Sequence, residues 1–324
     1  MDFQFKRSTV SCLDPVIREV RSAEQTQEIR LPDTYPDAGR VLAAWGQPIL
    51  RSKEWGRDVI RFSGGMMVWI LYAPEDGGPE RCIDTWIPFQ MKWELPDGTM
   101  EGRLRMTALA RALDARTVSP RKLMVRAGIG VFGEAWAPTE VETFRTETQN
   151  TEVQILENTY PLRLYSEAGE RLFVLEEELA LPPSAPEAEK VLYYRLNPRV
   201  TETRVLGDKV VFRGSANLHI LYRSKEGQLH RWDFPLGFSQ YAELDREHGT
   251  DSQGDVQVSL TGLELELDEE GKLHLRAAMT AQYILTDIQR ISVVEDAYSP
   301  GRELQLQTAD LTLPVVLETR RENL

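Results

Sequence analysis

The sequence is short of the residues that carry chemistry. Cysteine occurs twice, at Cys12 and Cys82, too few for a disulfide scaffold or a cysteine-based zinc module. Both read as small buried hydrophobes, with a cross-link from Cys12 to another subunit as the alternative. The four histidines, His219, His230, His248 and His274, form no H-x-x-x-H pair and none neighbours a cysteine, so the sequence offers no metal site and no catalytic metal. Neither a G-x-S-x-G nucleophile turn nor a Walker A loop occurs. No apolar run approaches the ~18 residues of a membrane span. Residues 1–7 lack the apolar stretch of a secretory signal, so the chain is expected to start in the cytoplasm. The net charge is −13, about −1 over residues 1–150 and −12 over the remainder. An acidic surface repels phosphate backbones, which argues against nucleic acid as a partner.

What the chain does contain is itself, twice. Gly64-Gly65-Met66-Met67-Val68-Trp69-Ile70-Leu71-Tyr72 returns as Gly214-Ser215-Ala216-Asn217-Leu218-His219-Ile220-Leu221-Tyr222, an offset of 150. Leu31-Pro32 returns as Leu181-Pro182, Pro36 as Pro186, Val41-Leu42 as Val191-Leu192 and Pro48 as Pro198. Downstream, Lys122-Leu123 and Arg126-Ala127 return as Lys272-Leu273 and Arg276-Ala277. A chain of 324 residues has the length of about two domains. The repeat units are drawn at 1–139 and 140–290, with 291–324 as a strand segment pairing back onto a sheet.

Period-two alternation dominates. Strands are expected over 3–12, 16–20 and 25–31, and again over 153–156, 162–165 and 172–181. The clearest are the last of each unit. Leu123, Val125, Ala127, Ile129 and Val131 form one face, matched by Leu273, Leu275, Ala277, Met279, Ala281 and Tyr283. One face buried and one wet is the antiparallel pattern. Residues 103–115 are helical by propensity, but Val256-Gln257-Val258-Ser259-Leu260 alternates, so both segments are assigned as strand. Gly64 and Gly214 predict a bulge or bend within a long strand. Pro88 and Pro235 place the return strands at an edge or a break. One short helix per unit is expected, from Asp33 through Val41, Leu42 and Trp45, and in the second unit behind a capping box at Ser184 and Glu187. The fold class is therefore mostly β: two tandem homologous domains of antiparallel sheets, sandwich- or barrel-like, each with one short helix.

Gly128-Ile129-Gly130-Val131-Phe132-Gly133 fits the dinucleotide fingerprint, but no helix follows it to hold a pyrophosphate, so no cofactor is expected. The acidic loop 245–255 lacks EF-hand spacing and reads as a hairpin tip. No catalytic, cofactor-binding or metal residue is assigned, and the protein is expected not to be an enzyme. The charge contrast between the units is more informative. Residues 103–126 carry a net +6 and the equivalent 253–276 a net −4. The candidate interaction surface is Arg103, Arg105, Arg111 and Arg116 against Glu264, Glu266, Asp268, Glu269 and Glu270. Complementary faces on equivalent domains allow head-to-tail association into rings or filaments.

The order Leu-Pro, short helix, strand-Gly-strand ending Ile-Leu-Tyr, Pro-Phe return strand and Arg121-Lys122-Leu123-Met124-Val125-Arg126-Ala127 resembles the SPOCS domain of clostridial-type sporulation proteins. The resemblance covers about 28–137 well and 178–287 less closely, hence two tandem copies, with no LysM module. It implies a non-enzymatic structural or scaffold protein of spore-envelope assembly, in coat or exosporium. Its partners would be other spore-envelope proteins or further copies of itself. It would be made in the mother-cell cytoplasm and reside at the spore surface or coat layer. The alternative is a carbohydrate- or envelope-polymer-binding module, which would require some of the seven tryptophans to be exposed as stacking platforms.

Overall fold

The structure, a computed structural model, describes residues 5–146 and 152–317. Most of it is antiparallel strand, and no helix occurs among the described residues. In chain order these are β1 (Phe5–Arg30), β2 (Ala38–Trp55), β3 (Val59–Pro74), β4 (Arg81–Glu94), β5 (Arg103–Ser119), β6 (Lys122–Thr146), β7 (Gln154–Ala180), β8 (Ala188–Ser224), β9 (Leu229–His248), β10 (Gln253–Leu267) and β11 (Lys272–Tyr298). The alternation read in β6 and β11 is seen directly. Leu123, Val125, Ala127, Ile129 and Val131 are fully buried, as are Leu273, Ala277, Met279 and Ala281. Arg126 and Arg276 between them point to water.

One sheet has the order β10-β11-β7-β1-β6-β5, a second β2-β3-β4, and a third β8-β9. The large sheet reads the same from either end once β1 is exchanged with β7, β6 with β11 and β5 with β10. The two central strands meet antiparallel at Leu13 and Tyr165. These are the relations of an approximate two-fold axis. Each half of the large sheet is covered by one small sheet, and the side chains between them form a core. The first core holds Phe62, Met66, Val68, Ile70, Tyr72 and Val131. The second holds Phe212, Ala216, Leu218, Ile220, Tyr222 and Ala281, the positions 150 further on.

The chain merges what the pattern divides. The three segments expected between residues 3 and 31 are one strand, β1, bulged between Pro15 and Ile17; Phe3 and Gln4 lie outside the described residues. Likewise 153–181 becomes β7. Within β8 the chain turns at Gly207 (φ +61°). Its arms then run side by side, with the Thr201 hydroxyl donating to the Arg213 carbonyl at 3.2 Å and Lys225 N–H to Glu187 O at 3.0 Å. Gly64 and Gly214 sit inside continuous strands; the ladder from β3 to β4 runs through Gly64 unshifted, while that from β3 to β2 shifts between Leu50 and Ser52, a bulge on β2 opposite Gly64. Both glycines also permit a close approach. A Cβ at Gly64 would strike the Ile49 carbonyl, and one at Gly214 the Arg199 carbonyl, which is the equivalent atom. Pro88 and Pro235 lie on β4 and β9, the edge strands of their sheets.

The expected short helices are not there. Residues 33–35 make a turn closed by Tyr35 N–H to Pro32 O at 2.9 Å, and β2 begins at Ala38. In the second half Ala185 N–H bonds to Pro182 O at 2.8 Å, and Ser184 caps nothing. In the first half the Arg121 guanidinium donates to the carbonyls of Leu31, Pro32 and Tyr35, but the second half makes the same turn with Gly271 at the equivalent position, so strand pairing is the common cause. From Ala38 the chain pairs with β3, Val41 against Tyr72 and Trp45 against Trp69, through register shifts at Ala38/Arg40 and Val41/Ala43. Tertiary pairing outweighs a weak local preference.

Residue 139, where the first unit was drawn to end, lies within β6, which continues to Thr146. The segment from 291 first completes β11. Beyond Tyr298 a single bridge, Leu164 to Val315, ties the chain back to β7, and Leu313 packs on Val10, Cys12, Leu164 and Ile291. Residues 318–324 lie outside the described residues.

Candidate functional site

The halves are joined by polar side chains on the axis. Arg105 of β5 and Asp255 of β10 stand 150 positions apart and touch, Nη1 donating to Oδ2 at 2.6 Å. Two residues on, Gln257 Nε2 donates to Thr107 Oγ1 at 2.5 Å. Arg105 also donates from Nε to Glu134 of β6 at 2.8 Å. Its guanidinium stands 5.3 Å from the Trp136 ring centre. Beside this pair Gln282 of β11 bonds both backbone groups of Met106, its Nε2 donating to the carbonyl at 2.8 Å and its Oε1 accepting the N–H at 2.9 Å. Lys53 of β2 reaches Gln282 Oε1 at 2.6 Å and Glu170 at 2.5 Å. Burial pushes the Lys53 ammonium pKa down, and Glu170 opposes that shift.

The charged residues singled out in the sequence therefore divide. Arg105 is spent inside the molecule, on a seam between its halves. Arg103, Arg111 and Arg116 are exposed on β5, with Arg111 donating to Ser22 Oγ at 2.7 Å. Glu264 and Glu266 are exposed on β10, and Glu269 and Glu270 in the turn after it. Asp268 closes that turn, accepting from Lys272 N–H and His274 Nε2, each at 2.8 Å. The His274 bond and those from the Lys272 and Glu270 backbones hold its carboxyl below the usual range. β5 and β10 are the terminal strands of the large sheet. The basic and acidic surfaces thus occupy opposite ends of one strand order.

A second buried cluster escaped the sequence reading. His248, at the end of β9, is fully enclosed between Glu167 of β7 (Nε2 to Oε2, 2.9 Å) and Asp287 of β11 (Nδ1 to Oδ2, 3.0 Å). Glu167 also accepts from Asp245 N–H at 2.9 Å. Burial, then the Glu167 charge, push the Tyr283 hydroxyl up to about 12. Burial alone would raise the Asp287 carboxyl, but hydrogen bonds from Ser252 and His248 reverse this and hold it low. The sequence pattern places Asp245 and His248 in a hairpin tip. The turn itself is only 249–252, and the alternation of Tyr241, Glu243 and Asp245 with Ala242 and Leu244 was the signal that β9 extends that far.

The remaining motifs resolve into packing. Gly128, Gly130 and Gly133 lie mid-strand against Ala112, Arg111 and Trp93. Cys12 and Cys82 are buried free thiols, and burial, helped by Asp84, pushes Cys82 up to about 12. Among the described residues no group of His, Cys, Asp or Glu could hold a metal ion, and no helix is long and apolar enough to cross a membrane. Trp69, Trp93 and Trp136 are buried, and Trp45, Trp55, Trp86 and Trp232 are half-buried.

Residues 187–267 match the family model described as SipL, SPOCS domain. The matched SPOCS segment spans β8, β9 and β10, that is, the covering sheet and the acidic edge of the second half. No curated protein and no solved structure matches the chain.

Proposed function

We propose that this chain is a non-enzymatic structural protein of spore-envelope assembly, in the coat or exosporium, working through protein–protein contacts that include head-to-tail contacts between its own copies. The SPOCS match carries the sporulation role. The likeness of residues 28–137 to the same family extends that role to the first half, making the chain a tandem pair. The self-association reading is supported by Arg103, Arg111 and Arg116 on one terminal strand and Glu264 and Glu266 on the other. A β5 face of one copy complements a β10 face of the next, and complementary potential sets register and encounter rate. Such a heterologous contact closes into a ring or propagates as a filament. Synthesis would be in the mother-cell cytoplasm and residence at the spore surface.

The test is light scattering behind size exclusion, over protein concentration and salt, with Arg111→Glu/Arg116→Glu beside the wild type. Oligomers that dissociate with salt, and an association constant about tenfold or more weaker in the variant, are expected; tenfold corresponds to about 1.4 kcal/mol. A chain monomeric at every concentration, or oligomers indifferent to salt and to the variant, overturns self-association. A fluorescent fusion that stays diffuse through sporulation of the native host overturns the envelope role.

A further inference from the structure

Beside the seam between the small sheets lies an open groove of about 340 Å³, floored by Trp45 and Tyr193. The two rings stack with centroids 4.8 Å apart and planes 20° apart. Buried Trp69 braces Tyr193 edge-on at 5.3 Å. Around this floor stand Arg195, Asn197, His219 and Arg231. They are ordered by one another: Arg195 Nε donates to Asn197 Oδ1 at 2.8 Å, and Arg231 and His219 share Asp233 at 3.2 Å and 2.8 Å. The His219 bond, then Arg231, hold the Asp233 carboxyl low.

The fold does not require these side chains. Arg195, Asn197 and His219 are the equivalents, 150 positions on, of Trp45, Gln47 and Trp69. Arg231 opposite Leu221 is the equivalent of Cys82 opposite Leu71. In the first half Gln47, Trp69 and Cys82 are buried. In the second half the places of Trp45, Trp69 and Cys82 hold arginine, histidine and arginine, and that of Gln47 keeps an amide, on a chain whose net charge is −13. Of the two guanidiniums and the imidazole there, Arg231 and His219 share the Asp233 carboxylate, while Arg195 is bonded to Asn197 and, among the described residues, is paired with no acid in the groove. Trp45 and Tyr193 cover each other's inner faces, and Trp69 packs on Tyr193, so the ring surface left to a ligand is the outer side of Trp45, backed by Tyr193. That surface, with planar hydrogen-bonding groups and a cationic rim, suits a pyranose ring with equatorial hydroxyls and an acid group. Its C–H face would lie on Trp45, and its carboxylate would take paired donors from arginine.

We infer that this groove is a binding subsite for an anionic saccharide, a sugar unit bearing a carboxylate within a polymer. The site is built from both halves, Trp45 from β2 and the remainder from β8 and β9, so it exists only in the joined chain. It is independent of self-association through β5 and β10.

Isothermal titration of the full chain with β-1,4-linked tetraglucuronate, with its neutral counterpart cellotetraose and with sodium sulfate tests it. A charge-assisted hydrogen bond contributes about 1.5–3 kcal/mol. Tetraglucuronate should therefore bind about tenfold or more tightly than cellotetraose, with sulfate displacing it poorly. Arg195→Ala/Arg231→Ala alters only exposed side chains and should lower that affinity about tenfold or more, with cellotetraose unchanged; near-ultraviolet dichroism checks the fold. Tyr193→Leu should weaken both sugars. Equal affinity for the two sugars, sulfate competing at the same concentration as the tetramer, an unchanged affinity in the double variant, or no heat at millimolar ligand each overturns the assignment.

Discussion

Removing Arg105 should cost this protein far more than removing any neighbouring arginine. The Arg105 side chain is 12% exposed and that of Glu134 8%, while Asp255 is 31% exposed. In Arg105→Ala the Glu134 carboxylate keeps only Arg18 at 3.4 Å, and Arg18 is 74% exposed, so its attraction is largely screened. Asp255 borders an open groove and regains water. Breaking a buried pair by removing one partner costs about 3–5 kcal/mol, because a charge stays behind without compensation. Arg18 and the exposure of Asp255 put the loss at the low end, about 3 kcal/mol, or about 4 °C in Tm for a chain of this size. Urea unfolding at pH 7, followed by tryptophan fluorescence, measures it, with Arg111→Ala as the exposed control expected within about 0.5 kcal/mol. Arg105→Met with Glu134→Gln should recover most of the loss, since no buried charge is then left unpaired. If Arg105→Ala lies within about 0.5 kcal/mol of wild type, Glu134 is solvated and the halves are not joined through this contact.

Two further outcomes follow from the same packing. Gly64→Ala and Gly214→Ala each drive a methyl into a backbone carbonyl of the neighbouring strand and should each cost about 1–3 kcal/mol in chemical denaturation, similarly in the two halves. Asp287 titrates below its unfolded value of about 3.9, so the unfolded chain binds that proton more readily. Its contribution to stability is complete above pH ~4 and is lost as pH falls through the lower folded value. His248→Leu should therefore both destabilise at pH 7 and flatten the acid limb of the stability–pH curve; an unchanged limb would show that His248 does not set the Asp287 titration.

β6 and β11 were legible because burial on one face writes itself as alternation. β5 was legible only through β10, since Leu104 to Leu113 are good helix formers and the pairing with β6 decides otherwise. The helix behind Asp33 failed because the residues from Ala38 pair with β3, a partner distant in sequence that no local pattern reports. The return strands keep no constant offset: Trp86 lies opposite Met67 and Pro235 opposite Asn217, so the equivalent of Trp86 is Pro235 rather than Trp232, which lies opposite Ile220. The charge contrast was real, but Arg105 and Asp255 belong to a contact within the chain. Their separation by the repeat offset itself was the available sign, since an axis brings equivalent positions together.

That last relation constrains what a chain of this design can be. On a two-fold axis every residue faces its own counterpart. Two identical polypeptides would have to set arginine against arginine at this seam, and a buried like-charged pair repels. Carrying both halves on one polypeptide lifts that obligation, so one side can be arginine and the other aspartate. The same freedom lets one small sheet present tryptophan and cysteine where the other presents histidine and arginine. A protein that is symmetric in its backbone is thereby directional in its surface, and a directional subunit can be laid end to end.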